Sequence, residues 1–244
     1  MKKIIANFKM NMTGKEVKSY ISKLSAKASG KNEIIICPPF TSLSLASFLL
    51  EGNRIKLGAQ NLCDEEDGKC TGEVSGAMIK DCGADYVIVG HSERRSKFRE
   101  NGRIVNKKIK IALKNKLKVV LCVGETLTEK NLGKTKEAIK TDLQEAFKGL
   151  YENELENIIV AYEPVWAIGT GKTPTVKEIE GIAEYIRKVV SEDFSPNAEK
   201  IEVLYGGSVD NKNCSTFAKA KGINGLLVGG ACLNVDNFLQ ISKI

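Results

Sequence analysis

Apolar positions along the chain fall into short, nearly continuous runs separated by longer stretches of helical period. Eight runs recur, at residues 4–10 (IIANFKM), 33–39 (EIIICPP), 56–61 (KLGAQN), 86–91 (YVIVGH), 118–125 (KVVLCVGE), 157–164 (NIIVAYEP), 201–207 (IEVLYGG) and 224–230 (NGLLVGG). Runs of this kind belong to strands covered on both faces, the pattern of a parallel sheet flanked by helices. The clearest helix is predicted at about 175–190, where Ile179, Ile182, Ala183, Ile186 and Val190 form one apolar stripe. Thr175 with Glu178 reads as a capping box, and Pro174 ends the loop before it. Further helices are predicted near 15–29, 42–51, 104–115, 134–149, 211–221 and 235–242, while the third and fourth units read as irregular.

Eight βα units in 244 residues suit a closed (β/α)₈ barrel, an α/β fold of eight parallel strands, better than a doubly wound sheet. No Pro/Ser-rich linker or low-complexity tract divides the chain, so residues 1–244 are expected to form a single domain. In either architecture ligands gather at the C-terminal ends of the strands. The polar and glycine residues that end the runs then converge on one mouth: Asn7, Lys9, His91, Glu163, Gly206 to Ser208, Gly229 and Gly230.

With 42% hydrophobic and 27% charged residues the chain is of globular type. Its net charge of +7 suits attraction of small anions. The lysines recur singly (Lys107, Lys110, Lys114, Lys118) with no basic tract interleaved with aromatics, so no nucleic-acid partner is expected. Seven cysteines (37, 63, 70, 82, 122, 214, 232) include no Cys-x-x-Cys pair. That disfavours a disulfide framework or a zinc site and implies a reducing compartment, the cytoplasm. The apolar stretch after Lys2 and Lys3 is broken by Asn7 and Lys9, too soon for a signal peptide or a membrane helix.

His91, the only histidine, ends a strand just before Ser-Glu-Arg-Arg. A helical turn starting there would aim N–H groups at the ring and keep the imidazole neutral; a buried structural histidine is the competing reading. Glu163 puts a lone carboxylate at the edge of a dry core, as a base or as half of a structural ion pair. The loop that follows, Pro164 to Pro174, holds the only tryptophan and two glycines, the make-up of a lid with rigid ends. Gly206-Gly207-Ser208 and Gly229-Gly230 each end a late strand and precede a predicted helix, which suits phosphate capture by backbone N–H groups. Asn7 and Lys9, one alternation apart, can face an anionic substrate together. Lys9 is alternatively a solvated strand-end lysine or a Schiff-base nucleophile.

The stretches ANFKMN, GAQN, TGEVSG, VIVGHSERR, CVGE, AYEPVWAIGTGKTP, YGGSV and LLVGGACL, in this order and spacing, resemble the triosephosphate isomerase family over essentially the whole chain. The resemblance implies reversible, cofactor-free and metal-free interconversion of dihydroxyacetone phosphate and D-glyceraldehyde 3-phosphate through an enediolate, in glycolysis and gluconeogenesis. It implies that Glu163 is the base and His91 the electrophile, with Asn7, Lys9 and Glu93 completing the catalytic set. Substrate binding falls to Asn7, Lys9, Gly169, Ser208, Gly229 and Gly230. It also implies a homodimer through the loop Leu62 to Val74, with Thr71 near the partner's site, although Lys69 and Cys70 replace the family's usual small and aromatic residues there. A Schiff-base aldolase on Lys9, an isomerase of a longer phosphorylated sugar and a silent binding barrel are the alternatives.

Overall fold

The eight runs become eight parallel strands: β1 (Lys3–Asn7), β2 (Glu33–Cys37), β3 (Lys56–Ala59), β4 (Tyr86–Val89), β5 (Lys118–Val123), β6 (Ile158–Tyr162), β7 (Glu202–Tyr205) and β8 (Gly225–Val228). In the computed structural model, which describes residues 1–196 and 200–244, each strand pairs with the next. β8 returns to β1, with Lys3 opposite Gly225, so the sheet closes into a barrel. The outer ring contains α1 (Gly14–Lys27), α2 (Leu43–Leu49), α3 (Gly76–Asp81), α4 (Ser92–Lys97), α5 (Gly102–Lys114), α6 (Leu127–Asn131) and α7 (Thr135–Ala146). It continues with α8 (Glu152–Leu155), α9 (Val176–Asp193), α10 (Cys214–Ala218) and α11 (Val235–Ile241).

Strand side chains alternate between two cores. Ile5, Ile35, Tyr86, Ile88, Val120, Cys122, Ile159, Ala161, Leu204 and Leu227 fill the barrel interior. Their neighbours, such as Ile4, Ala6, Val87, Val119 and Val160, pack outward with the helices. Both faces are dry, which is why the runs show no polar alternation. The inward register also makes the site: two residues beyond the interior positions Ile5, Gly58, Cys122, Ala161, Leu204 and Leu227 stand Asn7, Gln60, Gly124, Glu163, Gly206 and Gly229. The period-two rule thus delivers these residues to one mouth.

α9 carries the expected stripe, with Ile179, Ile182, Ala183, Ile186 and Val190 all buried. Its capping box is closed: Thr175 N–H donates to Glu178 Oε2 at 2.7 Å, and Glu178 N–H donates to Thr175 Oγ1 at 3.2 Å. Caps of this kind contribute about 1 kcal/mol.

Three expectations are corrected. β1 ends at Asn7, and Lys9 sits at φ 53°, so Lys9 does not continue the strand's alternation. The helix expected at 211–221 is reduced to α10, because Asp210 Oδ1 accepts the N–H groups of Lys212 and Asn213 and holds that segment in a turn. No helix therefore abuts Gly206–Ser208, and the favourable dipole expected there is absent. The short helices α3, α4, α6 and α8 are too brief to leave a periodic stripe in the sequence. Among the described residues no helix is long and apolar enough to cross a membrane.

Candidate active site

A cavity of about 550 Å³ opens where the strands end, and Asn7, Lys9, His91, Glu93, Glu163, Gly169, Ser208, Gly229 and Gly230 all line it. Its size is that of a small-molecule site.

His91 is the N-cap of α4, and the Glu93 N–H donates to its Nδ1 at 3.2 Å. A ring nitrogen that accepts a hydrogen bond carries no proton, so the imidazole is neutral and its proton sits on Nε2. Nε2 lies 3.2 Å from Glu163 Oε1. The second carboxylate oxygen accepts the Ser92 N–H at 3.1 Å. Glu163 is only 2% exposed, so the Ser92 N–H helps make its charge tolerable in a dry setting. Two glycines give it room. A Cβ at Gly124 would collide with the Glu163 carbonyl oxygen, and one at Gly206 would lie 3.1 Å from Glu163 Cγ.

Across the mouth, Lys9 Nζ pairs with Glu93 Oε1 at 2.6 Å. Burial opposes ionisation of Glu93, but the hydrogen bond and charge of Lys9 outweigh it and hold the carboxyl below its ordinary range. The left-handed backbone of Lys9 costs an L-residue about 1–2 kcal/mol. Gln60 holds it there: Nε2 donates to Lys9 O at 2.9 Å and to Cys37 O at 2.8 Å. Asn7 Oδ1 accepts the Lys9 N–H at 3.0 Å.

The loop after β6 is moored at its start. Glu125, buried, accepts Trp166 Nε1–H at 2.8 Å and the Tyr162 hydroxyl at 3.2 Å. The Lys130 ammonium lies 3.5 Å from the Trp166 ring centroid. Ser208 Oγ donates to Ala167 O at 2.5 Å. Past Ala167 the loop turns through Gly169 (φ 70°) and Gly171 (φ 74°) at the cavity edge. On the far wall, Gly230 opens a short 3₁₀ turn, Gly230–Leu233, whose first N–H groups have no partner within the turn. A Cβ at Gly229 would sit 3.2 Å from Lys9 Cε.

Gln60, Ser92, Gly124 and Glu125 belong to this site without having been singled out from the sequence. Gln60 and Glu125 carried the same signal as Glu163, a polar residue closing an apolar run, and applying that rule to every run finds them.

A neutral proton donor beside a desolvated carboxylate, facing a lysine and a glycine-rich wall, equips a mouth for proton transfer on a small anion. The chain is therefore in the class of phosphate-binding (β/α)₈-barrel enzymes. Residues 2–244 match the family model of triosephosphate isomerase. The chain is 45% identical over 243 residues to a triosephosphate isomerase of Dictyoglomus thermophilum, with 98% of each chain covered. It is 43% identical over 240 residues to one from Alkaliphilus oremlandii, covering 98% of this chain and 97% of the relative. A third, from Endomicrobium trichonymphae, is 43% identical over 239 residues, covering 97% and 96%. The chain belongs to the triosephosphate isomerase family, whose members are aldose–ketose isomerases of triose phosphates.

Proposed function

We propose that this chain converts dihydroxyacetone phosphate reversibly to D-glyceraldehyde 3-phosphate with Glu163 as the base and neutral His91 as the proton donor. The observation that carries the assignment is the 3.2 Å separation of Glu163 Oε1 from His91 Nε2. A base and a donor side by side address neighbouring atoms of one substrate. When the substrate enters between them, its carbonyl oxygen accepts the His91 Nε2–H while the carboxylate attacks the adjacent C–H. Glu163 takes that proton, the electron pair moves into the carbon–carbon bond, and the carbonyl becomes an enediolate oxygen stabilised by His91 and Lys9. A proton passes from the neighbouring hydroxyl oxygen to the former carbonyl oxygen by way of His91 Nε2, and returning the abstracted proton from Glu163 to the neighbouring carbon gives the isomer. No electrons leave the substrate and no group is transferred.

Asn7 and Glu93 orient Lys9, and the N–H groups at Gly169, Ser208, Gly229 and Gly230 hold the phosphate. The loop from Pro164 to Pro174 closes as a lid and keeps water from the enediolate. Its start is moored at Glu125 and Ser208 and its end runs into the capping box of α9 at Thr175, which supports motion of the tip between fixed ends. Residues 1–244 act as one domain, in keeping with a single closed barrel.

The working unit is a homodimer through the loop Leu62 to Val74, with Thr71 reaching towards the partner's site. In support, Lys107 and Lys114 tie Glu65 and Glu66 of that loop to α5. The first four βα units also expose Met10, Phe48, Met78 and Phe98, large apolar side chains of the sort partners cover. Seven unpaired thiols suit the cytoplasm.

The test is isomerisation of glyceraldehyde 3-phosphate by the purified protein in chelator, followed by NMR, with Glu163→Gln and His91→Ala in parallel. Each variant is expected to stay folded and lose about 10²–10⁴-fold in turnover. Near-normal turnover in a variant removes that residue from the mechanism.

A further inference from the structure

The strand ladders cannot by themselves set the spacing between His91 and Glu163. The β4–β5 pairing stops at Val89 opposite Leu121, and Gly90 turns away at φ 69° before His91 begins α4. The β5–β6 pairing stops at Val123 opposite Tyr162, one residue short of Glu163. Beyond these points a side-chain unit takes over.

Arg95, on α4, spends its planar fork on backbone. Nε donates to Gly90 O at 2.8 Å and one terminal nitrogen donates to Cys122 O at 3.2 Å. The other terminal nitrogen meets Asp142 Oδ1, from α7, at 3.1 Å. Asp142 Oδ2 in turn accepts the Gly124 N–H at 3.3 Å. The pair therefore grips the peptide just before His91 and the carbonyl and N–H that flank Val123. Val123 O receives the Glu163 N–H at 2.8 Å, and Gly124 lies directly under the Glu163 carbonyl. Two successive strand ends, those of β4 and β5, are fastened through one guanidinium and one carboxylate, and β6 joins them through its backbone bond to Val123. Burial pushes the Asp142 carboxyl up and Arg95 opposes it, so the partners depend on each other.

We propose that Arg95, anchored by Asp142, is a positioning residue for the isomerisation, holding the end of β4 against the end of β5, to which the Glu163 N–H is bonded, and so setting the approach of His91 Nε2 to the Glu163 carboxylate. The inference rests on the roles given above to His91 and Glu163. Lysine does not replace Arg95 here, because a point charge lacks the fork that reaches two carbonyls and a carboxylate at once.

The experiment compares Arg95→Ala, Arg95→Lys and Asp142→Asn with the full-length wild type, each checked for folding by circular dichroism. A displacement of about 1 Å between reacting groups costs about 10²-fold. Arg95→Ala is therefore expected to lower kcat by about 10–10²-fold, with KM changed less than about threefold. Guanidinium ion should restore part of the kcat of Arg95→Ala and none of that of Arg95→Lys, whose cavity is filled. His91 is the only histidine, so its ¹⁵N imidazole resonances are the whole histidine spectrum and should shift in both Arg95 variants.

Folded variants with wild-type kcat overturn the proposal. A kcat loss that guanidinium does not touch, with the histidine resonances unmoved, also overturns it as a purely structural effect. If Arg95→Ala does not fold, Asp142→Asn decides: it keeps the acceptor for Gly124 but loses the charge, and unchanged kcat and resonances refute the idea. Glu163→Gln separates the two readings. Inactive Glu163→Gln beside fully active Arg95→Ala sinks only this inference, whereas fully active Glu163→Gln sinks both.

Discussion

Gln60→Ala tests whether a strained lysine is held in place by one amide side chain. The substitution removes two hydrogen bonds, to Lys9 O and Cys37 O. Cys37 O keeps a partner, the Phe8 N–H at 3.2 Å, so the loss falls chiefly on Lys9. At about 0.5–1.5 kcal/mol net for each bond, the pair contributes about 1–3 kcal/mol. The left-handed conformation that it holds costs about 1–2 kcal/mol. The terms are of equal size, so without Gln60 the Lys9 backbone relaxes out of its active geometry. Relief of strain is the upper limit on that shift, and about 1–2 kcal/mol corresponds to a competent population lowered by about 5–30-fold.

The expected outcome is a fall in kcat/KM of that order, and a matching weakening of competitive inhibition by inorganic phosphate if Lys9 serves the phosphate. Because released strain offsets part of the lost hydrogen bonding, the net loss is at most about 2 kcal/mol and Tm should drop by no more than about 8 °C. Steady-state kinetics in both directions, phosphate inhibition and thermal melting read all three quantities. A Gln60→Ala variant with unchanged kcat/KM and a lowered Tm would refute the reasoning, since the amide would then stabilise the barrel mouth without governing Lys9.

Gly206→Ala places a methyl 3.1 Å from Glu163 Cγ and 3.6 Å from its Oε1. The carboxylate must give by a few tenths of an ångström, so kcat should fall roughly tenfold with little change in melting temperature, and unaltered kcat refutes this. Glu93 has a folded-state pKa below its ordinary value of 4.5. Its pairing with Lys9 therefore contributes fully above that pH and is lost as pH falls through the depressed value. The Tm difference between wild type and Glu93→Gln should be constant near neutrality and close in acid; a gap that widens in acid contradicts the sign. Lys108, 3% exposed, pairs with Glu100 and donates to Asn61 Oδ1 at 2.7 Å. Lys108→Met leaves Glu100 buried with Arg94 as its remaining ion-pair partner, at a cost of about 3 kcal/mol, near the low end for a broken buried pair. Melting should fall by about 6–12 °C, and a shift under about 2 °C counts against that accounting.

The barrel was legible because its strands are buried on both faces, and such runs stand out in a linear pattern. α9 was legible for the same reason at a different period, Ile179 to Val190 reporting one buried face. α6 and α8 were not, because four or five residues make barely more than one turn and leave no stripe to read. Lys9 was read as a strand residue because its conformation depends on Gln60, which is distant in the chain. The Gly206–Ser208 cluster lacks its expected helix because Asp210 bonds the chain that follows it, a competition that propensity does not resolve.

By itself the sequence determined which segments are dry, which residues interrupt them, and so which groups gather at the mouth: Asn7, His91, Glu163, Gly229. Burial pattern is a local property, written in the period of the apolar residues. Only the tertiary structure decided which of those groups touch. The proton on His91 Nε2 follows from the Glu93 N–H on the other ring nitrogen, the twist of Lys9 from Gln60, and the mooring of the loop after β6 from Glu125. The fastening of the β4 and β5 ends by Arg95 and Asp142 is likewise invisible in the linear chain. Such contacts join residues from different βα units, and periodicity records how deeply a residue is buried without recording its partner.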